Sequence, residues 1–434
     1  MSDFGIGVGG LLAMFALMVL RMPVGMAMLA VGYFGTVVIS GSRSANALFV
    51  TETFSSTANY NLTVIPLFVL MGNIASVAGF SSRLYEAAFA WVGRLRGGLA
   101  SASIVGCAAF AAVSGSSVAT AVTIGKVALP EMKRFGYSNA LATGAVAAGG
   151  TLGFLIPPST GFVLYAILTE ESIGQLFMAG ILPGILLTAL FIGTVTLVTL
   201  RDPDAGPRGA AVSLGQRMTA LFRAFPLLTV IVVSIGGIYL GVFTPVEAAG
   251  VGAGLVIMIA LAMRKLGLID LLGSVMETVR TTAMLYLIVI GASVLNPFLA
   301  LTHVPETLGS MMTSTGLGAY GVLLMIVIAY LVLGMFMDGL AMLVVTTPIF
   351  FPIITGFGFD PIWYGVIAVI VIEMGMITPP VGLNVFVVKS VAEDVPMSTI
   401  FRGVLPFWIA MAVCLLLIVI FPQIALFVPQ AMFN

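Results

Sequence analysis

The chain has 434 residues, of which 60% are hydrophobic and 8% are charged, and its mean hydropathy is +1.19. A soluble protein of this length could not bury so much apolar surface, so the composition predicts a polytopic helical protein in a lipid bilayer. The 17 basic and 17 acidic residues cancel, which argues against nucleic-acid binding. A membrane-embedded enzyme is disfavoured as well, because one histidine and two distant cysteines offer no catalytic cluster.

The N-terminal region predicts two helices, over residues 4–20 and 22–40, that meet at Arg21. Basic residues accumulate in the cytoplasmic loops of membrane proteins, so we place this turn in the cytoplasm and the N-terminus outside. Residues 42–60 are then predicted to form an outside loop. A helix over residues 61–80 returns to the cytoplasm.

An interrupted segment, residues 99–132, follows an amphipathic stretch at residues 84–95 that we expect to lie along the cytoplasmic face. Two apolar limbs flank a polar tetrad at residues 114–117. Each limb has only about 15 residues, too few for a full crossing, which takes about 20. Basic residues stand at both ends, at Arg96 and Lys133. The segment therefore predicts a re-entrant hairpin that enters from the cytoplasm and turns back within the membrane.

A helix over residues 138–168 comes next and is interrupted by a Pro-Pro pair. Together with an inward helix at residues 173–200 it completes a first repeat. This repeat is predicted to occupy residues 1–200, including the N-terminal scaffold helices. The arginine-rich segment 201–224 is predicted to be a cytoplasmic linker.

The second repeat is predicted over residues 225–434, with a helix at 278–301, a hairpin at 317–356 and a Pro-broken helix at 361–391. No Lys or Arg stands near either end of this hairpin, so we expect it to enter from outside. A final helix at residues 398–421 runs outward and places the C-terminus outside.

The two Pro-Pro pairs mark the same position in each repeat. Pro157 and Pro379 lie 222 positions apart (379 minus 157), and the same offset matches Gly153 with Gly375. The last helix of the first repeat runs inward and its counterpart runs outward, so the two repeats are predicted to have inverted topology. Inverted repeats with broken helices at matching positions are typical of secondary transporters, whose binding site lies at the breaks.

The two hairpin tips and the two breaks are predicted to form this site. Irregular backbone within a membrane can line a water-filled cavity, where free carbonyls can bind Na⁺ and helix N-termini attract an anion. We therefore expect two cation sites flanking one carboxylate. The predicted Na⁺ ligands are Ser114, Gly115, Ser117, Pro157, Asp338, Gly339, Thr378, Pro379 and Gly382. The predicted substrate-binding residues are Ser116, Ser159, Thr160 and Asn384.

Three of these features have a second interpretation. The small residues at 114–117 could serve close helix packing. Asp338 could cap the second limb of its hairpin at the N-terminus instead of binding an ion. Glu373, one turn before the second break, could bind a cation or a proton, or could serve helix packing with a buried partner.

Five segments carry a family resemblance when they are taken together and in order. They are SGSSVAT (114–120), PEMKR (130–134), AAGGTLG (147–153), FTPVEAA (243–249) and TPPVGLN (378–384). In these segments the chain resembles the large membrane subunit of tripartite ATP-independent periplasmic (TRAP) transporters. The resemblance covers nearly the whole chain.

The resemblance implies Na⁺-coupled uptake of a small organic anion, such as a C4-dicarboxylate or a sialic or sugar acid, which a periplasmic binding protein delivers. It implies a small four-helix membrane subunit as a partner, which we expect to be a separate protein. It implies an elevator-type fold in the bacterial inner membrane, and the distribution of basic residues predicts both termini in the periplasm. The family's ion sites lie at the hairpin tips and helix breaks, which correspond to the residues already named.

The main alternative function is a stand-alone Na⁺- or H⁺-coupled carboxylate carrier that needs no binding protein. A channel is disfavoured because it needs no paired hairpins. A Na⁺/H⁺ antiporter is disfavoured because Asp338 and Glu373 are the only obvious buried acids.

Overall fold

The computed structural model describes residues 2–209, 212–314 and 316–433, which contain helices and no strand. The helices, numbered in chain order, are α1 (Asp3–Val19), α2 (Val24–Thr57), α3 (Val64–Val77), α4 (Phe80–Val92), α5 (Gly98–Ser114), α6 (Ser117–Arg134), α7 (Asn139–Leu155), α8 (Thr160–Thr169), α9 (Ile173–Arg201), α10 (Leu214–Tyr239), α11 (Pro245–Ala262), α12 (Leu268–Leu301), α13 (Val304–Ser314), α14 (Gly318–Gly334), α15 (Gly339–Gly356), α16 (Pro361–Gly375), α17 (Leu383–Val391), α18 (Met397–Ile420) and α19 (Gln423–Phe433). The predicted all-α fold is confirmed.

Nine helical stretches among the described residues are long and apolar enough to cross a membrane, judged by length and composition. They lie in both halves of the chain, and one of them is the broken pair α7–α8. The first limbs of the two hairpins, α5 and α14, have 17 residues each and fall short of a full span. The predicted polytopic membrane protein is confirmed.

Short polar side chains begin several of these helices. The hydroxyl or carboxylate oxygens of Ser138, Ser172, Ser213, Thr244 and Asp360 each accept a hydrogen bond from a backbone N–H in the first turn of the helix that follows. Such caps satisfy amide groups that the helix itself leaves free, so these residues fix where each helix starts.

The N-terminal helices pack on α12 through glycines. A Cβ added at Gly25 would lie 2.5 Å from the Leu287 carbonyl oxygen, and one added at Gly32 would lie 2.6 Å from the Val294 oxygen. Small residues let two helix backbones approach closely in a membrane. Helices α2 and α12 therefore form a tight pair, and a hydrogen bond of 2.7 Å joins the Ser56 hydroxyl to α12.

The predicted loop at residues 42–60 is wrong. Helix α2 runs to Thr57, with one break at Gly41, where φ is +82°. Residues 42–57 contain neither glycine nor proline, so nothing prevents the chain from resuming a helix after that break. The helix predicted at residues 278–301 also begins earlier, at Leu268, where the Asp270 carboxylate accepts a hydrogen bond from the Gly267 N–H.

Helices α7 and α16, the first halves of the two broken helices, lie at the centre of the core. Every residue of α7 from Leu141 onward and every residue of α16 from Ile362 onward is buried. Helix α18 of the second half packs on α7, where a Cβ added at Gly144 would lie 2.2 Å from the Gly403 carbonyl oxygen. Helix α9 of the first half packs on α16 in turn. The two halves therefore share one core.

The segment after α9 packs against the first hairpin. The Gly206 and Ala205 carbonyls accept hydrogen bonds of 3.1 and 3.0 Å from the Gly97 and Ser138 N–H groups. Helix α10 then begins at Leu214, inside the range assigned to the linker. The cytoplasmic location of this linker remains a prediction.

Candidate functional site

The tip of the first hairpin is a two-residue turn held on the first break. Gly115 has a φ of +59°, and Ser116 caps α6 by accepting a hydrogen bond from the Ala119 N–H. The Gly115 carbonyl accepts hydrogen bonds from the Thr160 N–H (3.2 Å) and hydroxyl (2.8 Å). A Cβ added at Gly153 would lie 2.4 Å from the Ser116 carbonyl oxygen. The tip and the break therefore form one packed unit.

The first break separates α7 from α8 and is closed. Pro157 and Pro158 are joined by a cis peptide bond, and both are buried. The Ser159 hydroxyl, 1% exposed, donates to the Phe154 carbonyl (2.5 Å) and accepts from the Phe162 N–H (3.2 Å). In this conformation the Ser159 hydroxyl both donates one hydrogen bond and accepts one, and both of its partners lie within the chain.

The tip of the second hairpin is centred on Asp338. Its carboxylate oxygen accepts hydrogen bonds from the Leu340 N–H (3.1 Å) and the Ala341 N–H (3.0 Å), so Asp338 caps α15. Asp338 lies 222 positions after Ser116, the cap of α6 in the first hairpin (338 minus 116). A Cβ added at Gly339, beside this cap, would lie 3.0 Å from an Ile372 side-chain carbon of α16. The N-cap interpretation of Asp338 matches the observed geometry, and its ion-binding role remains a prediction.

The second break, between α16 and α17, is more open. Pro379 and Pro380, also joined by a cis bond, are exposed. The Thr378 hydroxyl donates to the Met374 carbonyl (2.6 Å) and accepts from the Trp408 indole N–H (2.9 Å). Gly382, with a φ of +61°, precedes α17, and no side chain caps that helix.

A buried carboxylate links the two repeats beside this break. Glu373 on α16 is 1% exposed, and its two oxygens accept hydrogen bonds from the Ser117 hydroxyl (2.7 Å) and from the Asn384 side-chain amide (3.3 Å). Ser117 starts α6 in the first hairpin, whereas Asn384 lies on α17. Nearby on the same hairpin, the Ser114 hydroxyl bonds the Thr120 hydroxyl at 2.8 Å.

At the site, each broken helix packs on the hairpin of the other repeat. Helix α8 of the first break packs on α15 of the second hairpin, and α17 of the second break packs on α6 of the first hairpin. A Cβ added at Gly339 would lie 3.6 Å from the ring of Phe154, which immediately precedes the first break. Both tips and both breaks therefore converge on one region.

The structure divides the predicted site residues into three groups. One group joins the first tip to the first break: Gly115, Ser116, Pro157, Ser159 and Thr160. A second group surrounds Glu373 and contains Ser117 and Asn384, with Ser114 nearby on the first hairpin. The remaining residues, Asp338, Gly339, Thr378, Pro379 and Gly382, lie along the second tip and break. None of the hydrogen bonds described above joins Asp338 to the second break.

Sequence reasoning missed two partners. The pairing of Ser117 with Glu373 joins residues 256 positions apart, and one sequence carries no signal for it. The sequence likewise carries no signal that Trp408 on α18 donates to Thr378. The correspondence of Ser116 with Asp338 was available from the repeat offset and would have predicted both as caps.

Comparison with known proteins identifies the family. A family model for the DctM component of tripartite ATP-independent periplasmic transporters matches residues 11–424. The chain is 38% identical over 397 residues to the C4-dicarboxylate TRAP transporter large permease protein DctM of Pseudomonas aeruginosa, covering 91% of this chain and 92% of that protein. It is 32% identical over 430 residues to the sialic acid TRAP transporter large permease protein SiaM of Vibrio cholerae, covering 98% of both.

Among solved structures, the chain resembles the crystal structure of the YdaH transporter of Alcanivorax borkumensis, with a TM-score of 0.62. The match covers 90% of this chain and 88% of that one at 14% sequence identity, so it supports the fold alone. The resemblance inferred from the five sequence segments is confirmed. The chain belongs to the DctM family, the large permease component of tripartite ATP-independent periplasmic transporters.

Proposed function

We propose that this permease couples the inward movement of Na⁺ to the uptake of a small carboxylate that a periplasmic binding protein delivers. The observation that carries the proposal is the convergence of two hairpin tips and two helix breaks, with a buried carboxylate between the repeats. Family membership supports the transport of a small organic molecule.

The second break supplies features that suit an anion. Helix α17 begins without a side-chain cap, and the exposed pair Pro379 and Pro380 precedes it. A helix N-terminus carries partial positive charge and free amide groups, so it attracts carboxylates. The relatives named for C4-dicarboxylate and for sialic acid support the carboxylate class.

Oxygen atoms around the tips suit Na⁺. The described site contains the hydroxyls of Ser114, Ser117 and Thr378 and the carboxylate of Asp338, together with backbone carbonyls at the ends of α5 and α7. Hard cations prefer such oxygen ligands. We therefore keep the tip and break residues as the proposed Na⁺ and substrate ligands.

The packing supports an elevator mechanism. The crossed contacts join both hairpins and both broken helices into one body, whereas the packing partners of α2 are α12 and α1. We propose that this body moves across the membrane against a scaffold that contains α2 and α12. The partners would be a small membrane subunit and a soluble binding protein, as the tripartite family description supports.

We also propose that the permease lies in the bacterial inner membrane with both termini in the periplasm. Arg21 supports this orientation, as do the arginines from the end of α9 to the first turns of α10, because cytoplasmic loops are enriched in basic residues. These arginines are Arg201, Arg208, Arg217 and Arg223.

Uptake into proteoliposomes tests this function. The chain and its small subunit would be reconstituted, an inward Na⁺ gradient imposed, and labelled succinate, malate and sialic acid added with and without the binding protein. Accumulation that requires both Na⁺ and the binding protein would support the proposal and identify the substrate. Accumulation without the binding protein would favour the stand-alone carrier, and accumulation driven by a proton gradient alone would contradict Na⁺ coupling.

A further inference from the structure

Glu373 is a buried acid with no basic partner among the described residues. Its carboxylate is 1% exposed, and the two ion pairs in the described part of the chain, Lys133–Asp394 and Arg134–Glu131, do not include it. Two neutral donors, the Ser117 hydroxyl and the Asn384 amide, contact its oxygens. A buried charge that lacks a counter-charge is strongly destabilising, so this carboxylate must be neutralised by a bound cation or by a proton.

Asn384 supplies a second, independent observation. Its side chain is 0% exposed, its amide nitrogen lies 3.3 Å from a Glu373 oxygen, and its amide oxygen has no hydrogen-bond partner. The backbone N–H of Asn384 donates a hydrogen bond of 3.0 Å to the Met376 carbonyl. Buried acceptors in proteins are almost always satisfied, so the amide oxygen of this side chain is available to a ligand.

Ser117 adds an oxygen from the other repeat. Its hydroxyl donates to a Glu373 oxygen at 2.7 Å, and a hydroxyl that donates retains two acceptor lone pairs. The carboxylate, the amide oxygen and the hydroxyl oxygen are all hard ligands. One carboxylate among neutral oxygens balances a single positive charge, which suits a monovalent cation better than a divalent one.

We propose that Glu373 and Asn384 join Ser117, a Na⁺ ligand of the proposed function, in holding one Na⁺ ion at a buried side-chain site, which assigns Asn384 to the ion and not to the substrate. The proposal rests on the Na⁺ coupling of the proposed function and adds a side-chain site that bridges the two repeats. Ion binding there would fasten α6 of the first repeat to α16 and α17 of the second, so the packing of the transport body would depend on Na⁺.

The test compares Glu373→Gln with Glu277→Gln, an exposed acid on α12 that serves as a matched control. The glutamine keeps the size of the side chain and an acceptor for Ser117, and it removes the negative charge. Two quantities would be measured on the chain with its small subunit. They are the Na⁺-induced rise in Tm in detergent, with choline as the reference cation, and the Na⁺ dependence of uptake in proteoliposomes.

We expect Glu373→Gln to lose part of the Na⁺-induced rise in Tm and to show a lower Hill coefficient for Na⁺ than the wild type. The half-saturating Na⁺ concentration should rise by about tenfold or more, since a ligand has been lost. Glu277→Gln should match the wild type in each measurement. If Glu373→Gln fails to fold, Asn384→Ala and Ser117→Ala take its place, each with a several-fold rise in half-saturating Na⁺.

Three outcomes would overturn the site. A variant that keeps the wild-type Na⁺ response would show that Glu373 binds no Na⁺. A loss of pH dependence with an unchanged Na⁺ response would assign a proton to this carboxylate instead. A wild-type protein that responds to Na⁺ in neither measurement would overturn the Na⁺ coupling itself, and this result is distinguishable because it appears before any variant is made.

Discussion

The two Pro-Pro breaks correspond in sequence but differ in exposure. Pro157 and Pro158 are buried beneath the first hairpin tip, whereas Pro379 and Pro380 are exposed. The residues that follow explain part of the difference. In the first break Ser159 caps α8 and Thr160 donates to the Gly115 carbonyl. In the second break the matching positions are a valine and a glycine.

This difference bears on the proposed mechanism. Related repeats can hold two gates in different states, because each gate depends on its own local contacts. In this structure Thr160 of the first break donates a hydrogen bond to Gly115 of the first tip, whereas α17, which follows the second break, has no side-chain cap. A carrier that opens to one side at a time needs such an asymmetry, and the following predictions test whether these contacts cause it.

The largest expected effect comes from Gly153→Ala. The added methyl group would lie 2.4 Å from the Ser116 carbonyl oxygen, so the first tip must move away from α7. Overpacking of this kind costs about 1–3 kcal/mol, and uptake should fall by about tenfold or more. Gly193→Ala on α9 is the control, since a Cβ there has no atom within 4 Å and should leave Tm and uptake unchanged. If Gly153→Ala takes up substrate at the wild-type rate, the close approach of the first tip to α7 at Gly153 is not needed for transport.

The difference in exposure predicts a difference in thiol labelling at matched positions. Val381→Cys in the second break should react with a membrane-impermeant maleimide roughly ten times faster than Ser159→Cys in the first, because thiol reactivity follows exposure. The native Cys107 and Cys414 are free and buried, so the wild-type protein should give a low background. Equal labelling rates for Val381→Cys and Ser159→Cys, with the maleimide added on either side of the membrane, would contradict the closed first break.

A smaller effect is expected from Thr160→Val. The change removes the hydroxyl that donates to the Gly115 carbonyl at 2.8 Å and retains the shape of the side chain. A net loss of about 1 kcal/mol should raise the labelling of Ser159→Cys by roughly fivefold. Thr188→Val, which removes a bond within α9 to the Gly184 carbonyl, should leave the labelling rate unchanged. A rate that does not rise would mean that other contacts keep the break closed.

The smallest effect is expected from Asp394→Asn. A hydrogen bond from Lys133 lowers the pKa of Asp394 below its usual value of 3.8. A lowered pKa gives stability that is present at neutral pH and is lost as the pH falls through the lowered value. Both side chains are largely exposed, so at pH 7 the change in Tm should be about 1 °C or less. A Tm difference that grows as the pH falls below 4 would contradict this assignment.

Much of the architecture could be predicted because it depends on local chain properties. Hydrophobic runs, short limbs and paired prolines indicated helices, hairpins and breaks, and the observed α5–α6 and α14–α15 pairs turn at the polar residues that the sequence singled out. The outside loop at residues 42–60 failed for a local reason as well. Residues 42–57 contain neither glycine nor proline, so they continue α2 as a helix.

The site could be predicted only in part, because its residues meet through tertiary packing. The repeat offset located the residues at the tips and breaks. It did not reveal that Ser117 of the first hairpin reaches Glu373 of the second broken helix, or that Ser159 uses its hydroxyl to close its own break. Such pairings depend on how helices cross, and the periodicity of one sequence does not encode the crossing.

The replacement of Na⁺ by K⁺ tests the central claim most directly. Uptake of labelled C4-dicarboxylate would be measured in proteoliposomes containing the chain, its small subunit and the binding protein, with the membrane potential held constant. If the converging tips and breaks bind Na⁺ as the coupling ion, accumulation should disappear in K⁺ and return when Na⁺ is restored. Undiminished accumulation in K⁺ would contradict the claim and would require another driving ion at these breaks.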